Sequence, residues 1–205
     1  MDGTLLTDAM ALRELYGEPS EGAIAKEIDY VHPHYRAMIE ASPFMVMATS
    51  GQDGLDVSPR GDPAGFVVVE DDKTLLIPDR RGNNRADTLN NLIADPRIAL
   101  LFLIPGVGET LRVNGRAEIS VDPALLERFP AQGKLPRSVV VVHVERVYFQ
   151  CPKAIVRSDL WNPAKHIARK SLPTTGTILA DISRGRVGGA EYDAAYPERL
   201  KATIY

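Results

Sequence analysis

The spacing of apolar positions changes along this chain, and each change predicts an element. Residues 8–17 (DAMALRELYG) are dominated by Ala, Leu, Arg and Glu, with Gly17 where a C-cap would stand, so a first helix is expected there. Glu18 to Ser20 break the chain. A second helix is expected over His34–Ala41, entered through Pro33 and stopped by Ser42-Pro43, because proline disfavours helix in the residue before it. From Phe44 the period falls to two. FMVMATS and LDVSPRG flank the hairpin residues Gly51-Gln52-Asp53-Gly54, and GFVVVED (65–71) and KTLLIPD (73–79) form a second hairpin around Glu70–Asp72. An amphipathic helix is expected at Ala86–Ala94, with Leu89, Leu92 and Ile93 on one face and Pro96 ending it.

RIALLFLI (97–104) is almost continuously apolar, which implies burial on both faces or at an interface. ETLRVNGRAEIS (109–120) alternates, with Leu111, Val113, Ala117 and Ile119 inward and Gly115 as a bulge or bend. A short helix opened by Asp122-Pro123 runs to about Phe129, and SVVVVHVERVYFQ (138–150) is the last long strand. About six or seven antiparallel strands with one inserted helix point to a small barrel whose closure hides its edges. Past Cys151 come Trp161-Asn162-Pro163, a helix expected over Thr175–Ser183, a Gly-rich break at Gly185–Gly189 and a tyrosine-bearing end.

The stretch Pro78–Pro96, PDRRGNNRADTLNNLIADP, carries the clearest chemistry. Three arginines (Arg80, Arg81, Arg85) and two amides (Asn83, Asn84) crowd around Gly82 in a turn that feeds a helix N-terminus. Free backbone N–H groups, the helix dipole and guanidinium forks together suit a phosphate. Composition narrows the alternatives. Of the 205 residues 44% are hydrophobic and 25% charged, with net charge −3, so no basic nucleic-acid surface is indicated. The single cysteine, Cys151, excludes an intrachain disulfide and a multi-thiolate metal site, and is expected to be a buried small apolar residue. No secretory signal is visible in residues 1–20, and no apolar stretch approaches the ~20 residues of a membrane span, so a cytoplasmic protein is expected. His32 and His34 lack a third ligand at metal spacing, so no metal site is expected. His143 reads as a structural histidine. The opening MDGTLLTD contains a DGT piece like that of haloacid-dehalogenase-type phosphatases. The nucleophilic aspartate of that motif would fall before Met1 with no strand leading in, and the reading is rejected.

The order and spacing of SPRGDPAGFV (58–67), IPDRRGNNRADTLNNL (77–92), IPGVGETLRVNG (104–115) and CPKAIVRSDLW (151–161) resemble the flavin-binding split-barrel proteins related to pyridoxamine 5′-phosphate oxidase, over roughly residues 30–165. The resemblance implies a mainly β fold with flanking helices, an FMN-binding split β-barrel of antiparallel, Greek-key-like strands. The implied barrel domain covers 44–165, a helical N-terminal segment 1–43 packs on it, and a helical or irregular extension fills 166–205. It further implies a homodimer with FMN at the interface. Arg85 and Asn84 occupy the Lys and Arg positions of the oxidase turn, and Asn83 replaces its Ser. Thr110 falls where the oxidase has a Gln reaching the flavin from the partner subunit, with Arg112 two residues on. Ser58 and Arg60 match the second strand more loosely. The oxidase's C-terminal arginine segment for its substrate has no counterpart here, so the implied activity is flavin-dependent oxidoreduction of some other small molecule, by hydride transfer at N5.

The residues themselves leave alternatives open. Arg85 either grips phosphate or pairs with Asp87 or Asp79, and Arg60 either reaches an anion or pairs with Asp62. Neighbours in extended chain point apart, so only one of Arg80 and Arg81 serves the site, and Arg80 is favoured. Thr110 and Arg112 share a strand face that either meets the flavin's pyrimidine edge or sits exposed beside Glu109 or Glu118. Lys153, Arg157, Ser158 and Trp161 either line the substrate side of the flavin or, for the tryptophan, fill the core. No side chain stands out as a catalytic acid or base. A non-catalytic flavin-binding or storage protein, and a split barrel using deazaflavin or haem, are the rival readings.

Overall fold

The computed structural model describes residues 5–205; Met1–Thr4, and with them the dehalogenase-like DGT, lie outside it. Helix α1 (Ala9–Tyr16) is capped by Asp8, whose carboxylate accepts from the N–H groups of Met10 and Ala11, and it ends at Gly17. A short α2 (Glu21–Ala25), capped by Ser20, occupies part of the stretch after the break. Helix α3 (Pro33–Ala41) starts on Pro33 with the His32 ring as its cap: Nδ1 accepts from the His34 N–H at 3.2 Å. That contact gives the H-x-H pair a local role.

Seven strands follow: β1 (Phe44–Gly51), β2 (Gly54–Gly61), β3 (Val68–Val69), β4 (Thr74–Asp79), β5 (Arg97–Leu103), β6 (Thr110–Ser120) and β7 (Ser138–Gln150), with α4 (Asp87–Ala94) between β4 and β5 and α5 (Pro123–Leu126) between β6 and β7. They form one antiparallel sheet in the order β2-β1-β5-β6-β7-β4-β3. The ladder is not closed, so this is a split barrel with β2 and β3 as free edges. The second expected hairpin is far shorter than its apolar pattern implied, because only Val68 and Val69 pair with β4. A proline and a glycine in the preceding residues, Pro63 and Gly65, explain the shortfall.

Alternation sets the two faces. Met45 and Met47 of β1, Ile98, Leu100 and Phe102 of β5, Leu111 and Val113 of β6, and Val140 and Val142 of β7 point inward and are fully or almost fully buried. Gly115 marks a register shift between β6 and β7, as the alternation suggested. A β-carbon there would sit 2.1 Å from the carbonyl oxygen of His143, so only glycine permits this crossing of strands. The outer face of β2, β1 and β5 is also apolar: Leu55 and Val57 are 88% and 63% exposed, while Val46, Leu101 and Leu103 are half-buried. The continuous apolar run of β5 thus faces the core on one side and this open surface on the other.

Beyond β7 the chain forms α6 (Lys153–Ser158), two short 3₁₀ turns, α7 (Thr175–Ile182) and α8 (Gly189–Thr203). Cys151 is exposed, not buried as expected, because β7 has already ended at Gln150 and the cysteine lies in the turn into α6. Helices α7 and α8 pair closely; the Asp193 carboxylate accepts from the Gly176 N–H at 2.7 Å. Among the described residues no helix is long and apolar enough to cross a membrane.

Candidate functional site

The split in the barrel contains a cleft of about 710 Å³. One wall is the inner face of β2. Asp56, Ser58 and Arg60 pair in register with Thr49, Met47 and Met45, whose side chains point into the core. The opposite wall is the end of β4 and β7, where Asp79 and Ser138 are cross-strand partners on the same face as Ile77 and Val140. Arg60 spans the gap, its guanidinium 3.8 Å from the Asp79 carboxylate. Side chains join here what backbone hydrogen bonds leave open.

The floor is the turn before α4. Asn83 folds it by accepting the Arg85 N–H at 3.0 Å. Asn84 and Ala86 then take left-handed backbone, φ 62° and 55°. Asparagine tolerates that region, whereas for alanine it costs about 1–2 kcal/mol. Ala86 is also the N-cap of α4 and supplies no capping side chain. The first-turn N–H groups of Asp87, Thr88 and Leu89 are therefore left without a side-chain cap in the cleft they line, with the Asp87 carboxylate as the first-turn acid beside them. The helix itself is pinned from below. Thr88 and Leu92 are buried, and Asn91 donates to Thr49 Oγ1 at 3.2 Å in a space that Gly51 leaves free.

Six sequence candidates, Ser58, Arg60, Arg80, Asn83, Asn84 and Arg85, line this one cleft. Their present partners differ in strength. Arg85 lies on Asp87 at 2.7 Å, with the arginine side chain 74% exposed. Asn84 accepts from Arg137 at 2.9 Å, and Ser58 shares a 3.0 Å hydrogen bond with Thr88. Arg80 is fixed more firmly. Its Nε donates to Asp62 at 2.8 Å and another nitrogen to the Phe129 carbonyl at 2.6 Å, while Tyr205 donates to the second Asp62 oxygen. Asp62 is thus the partner of Arg80, and Arg60 pairs with Asp79 instead. Arg81 and Arg137 also line the cleft and enter no ion pair among the described residues. Five arginines against Asp56, Asp79 and Asp87 leave the lining net positive.

Two polar groups of the cleft stand out, one buried and one half-buried. Ser138 Oγ is inaccessible and has no hydrogen-bond partner. Burial raises the Asp79 carboxyl above the ordinary aspartate value, and this outweighs the opposing pull of Arg60 and Arg137. The folded state therefore binds the Asp79 proton more tightly than the unfolded state does. Stability falls as pH rises from 3.8 through the raised value, and the cost persists at neutral pH. Asp79→Asn is accordingly expected to be more stable than wild type at pH 7, the difference shrinking towards acid. Denaturant unfolding across pH measures this, and an Asn variant less stable at neutral pH would contradict it.

The remaining candidates lie elsewhere. Thr110 and Arg112 share the outer face of β6, on the other side of the sheet from the cleft. Arg112 donates to the Tyr148 hydroxyl at 2.7 Å rather than pairing with Glu109 or Glu118. Lys153 and Arg157 lie exposed on α6, and Ser158 Oγ donates back to the Ile155 carbonyl. Trp161 donates to the Val107 carbonyl at 2.7 Å, holding the β5–β6 turn near Thr110. Thr88, Asp79, Arg137 and Ser138 escaped sequence reading. Helical phase placed Leu89 and Leu92 inward and could have placed Thr88; the other three depend on strand pairings no local pattern reveals.

A family model described as pyridoxamine 5′-phosphate oxidase matches residues 31–151. Among solved structures, HupZ from Group A Streptococcus is 21% identical with a TM-score of 0.48, covering 57% of this chain and 90% of its own. A Clostridium acetobutylicum protein related to general stress protein 26, of the pyridoxinephosphate oxidase family, is 15% identical with a TM-score of 0.45, covering 58% and 86%. The FAD binding protein of Mycobacterium smegmatis is 14% identical with a TM-score of 0.42, covering 60% and 97%. No curated protein matches the chain.

Proposed function

The chain belongs to the pyridoxamine 5′-phosphate oxidase family, and on that premise we propose that it binds FMN in the cleft of its split barrel and serves as a flavin-dependent oxidoreductase of a small molecule. The observation that carries this reading is the uncapped N-terminus of α4 at the floor of a net-positive cleft. The cleft also contains an orphaned buried hydroxyl, a group that costs about 1–3 kcal/mol when unsatisfied. A phosphate on the turn would accept from the first-turn N–H groups, from Ser58 and Thr88, and from Arg85 and Asn84.

Arg85 is free to make that exchange. Its exposed pair with Asp87 contributes about 1 kcal/mol at most, less than a charge-assisted contact to phosphate. Bound flavin would supply hydride transfer at N5. This chain's part is to hold the nucleotide, exclude water and place charge around it.

A homodimer follows from the same reading. The exposed apolar face around Leu55, Val57 and Leu101 is the kind of patch that a second subunit covers. Thr110 and Arg112 border it on β6, so from their own chain they are turned away from the cleft and would serve a flavin held by the partner. Lys153, Arg157, Ser158 and Trp161 sit at that same end of the sheet and are the substrate-side candidates.

Arg85→Ala is expected to weaken FMN about 10–100-fold while leaving riboflavin, which lacks the phosphate, unchanged. Fluorescence titration of both ligands measures the ratio. Equal affinity of the variant and wild type for FMN would refute the grip.

A further inference from the structure

We propose that Ser138 and Asp79 form a hydroxyl-reading subsite in this cleft, one that recognises the ribityl chain of the flavin; the inference rests on the flavin reading above. The phosphate residues cluster on β2 and the α4 turn. Ser138 and Asp79 belong to the opposite wall, where β4 and β7 end. As directly paired residues of antiparallel strands they sit side by side, with β-carbons about 5 Å apart. Yet Ser138 Oγ has no hydrogen-bond partner, and the Asp79 carboxylate has no hydrogen-bonded one, only the charges of Arg60 at 3.8 Å and of Arg137 nearby. One group, fully buried, offers a donor and the other, half-buried, an acceptor. A ligand hydroxyl placed between them accepts from Ser138 and donates to Asp79, closing both vacancies at once.

The charge balance argues for a neutral hydroxyl over a second anion at this point. Asp79 turns carboxyl oxygens, with a side chain only 19% exposed, toward this wall, so a ligand hydroxyl can donate to it whereas a phosphate or carboxylate would bring acceptor against acceptor. Five arginines elsewhere in the lining provide for the anionic end of the ligand. The cleft thus has a polarity along its length: phosphate at the α4 turn and polyol against the β4–β7 wall. Selectivity for a flavin nucleotide over other phosphates would arise from that second wall.

The test uses Ser138→Ala and the conservative Ser138→Thr in the full chain, with FMN, riboflavin and lumiflavin as ligands. Lumiflavin has the ring system without the ribityl chain. Ser138→Ala is expected to weaken FMN and riboflavin alike, each about 5–10-fold, and to leave lumiflavin unchanged; Ser138→Thr should retain most of the affinity. A second readout separates ligand recognition from a structural role. Removing an unsatisfied buried hydroxyl should leave the thermal midpoint of the ligand-free protein unchanged or raised. A lowered midpoint, an equal loss for lumiflavin, or unchanged FMN affinity overturns the subsite. If wild type binds none of the three ligands, the flavin reading itself fails, and this inference with it.

Discussion

Replacing Gly115 with valine is expected to lower the unfolding free energy by about 3 kcal/mol or more, one of the two largest effects of any single change proposed for this protein. A β-carbon at this position meets the His143 carbonyl oxygen at 2.1 Å and its carbon at 3.0 Å. Both are backbone atoms of the neighbouring strand, so no rotamer change relieves the clash. The strands would have to separate where the β6–β7 register shifts, and this is the longest ladder of the sheet. Val113 and Val144, both in the core, flank the bulge and would move with it. Denaturant unfolding of Gly115→Ala and Gly115→Val measures the loss. A valine variant within 1 kcal/mol of wild type would mean that the bulge can relax, contrary to this account.

The second large effect concerns Asp62 and its ion pair with the cleft residue Arg80. Asp62→Ala is expected to destabilise the protein by about 3–5 kcal/mol, the usual cost of stranding one member of a buried ion pair. The Asp62 side chain is only 4% exposed and that of Arg80 19%. Without the carboxylate, Arg80 keeps only the Phe129 carbonyl as a hydrogen-bond partner, and the Tyr205 hydroxyl loses its acceptor. Removing both charges together should cost far less. The double variant Asp62→Leu, Arg80→Met is therefore expected to recover much of the stability lost by Asp62→Ala. A double variant no better than the single one would show that packing, not the stranded charge, sets the loss. Arg80 also borders the cleft, so the single variant should loosen the turn at the foot of β4.

Local chemistry made much of the fold legible in the sequence. Gly17, Pro33, the Gly51–Gly54 turn and the alternation in 109–120 each act within a few residues, and each stands where its pattern put it. The bulge at Gly115 was legible for the same reason. The partners across the split were not. Arg60 reaches Asp79 across the gap between β2 and β4, while the sequence neighbour Asp62 is taken by Arg80. Asp62 also meets Tyr205 from the far end of the chain, a contact no window of sequence can contain. That Pro78–Pro96 gathers arginines and amides at a turn entering a helix could be read from its composition. That α4 lacks a capping side chain, and that Ser138 is left without a partner, depend on backbone torsions and strand pairing.

The stability and binding expectations share a physical theme. Ala86 in left-handed backbone, the partly desolvated Asp79 carboxyl and the orphaned Ser138 hydroxyl all cost folding free energy, and all three lie in one cleft. Strain and unmet polar groups gathered in this way are typical of a site whose ligand relieves them. Substitutions that stabilise the ligand-free protein should therefore weaken the bound form.

The most direct measurement is a crystal structure of the protein grown with FMN. The phosphate is expected against the first turn of α4, within hydrogen-bond reach of the Asp87–Leu89 N–H groups and of Ser58 and Thr88, with Arg85 turned from Asp87 onto the ligand. A flavin bound elsewhere with the α4 turn unchanged, or crystals that take up no FMN, would contradict that expectation.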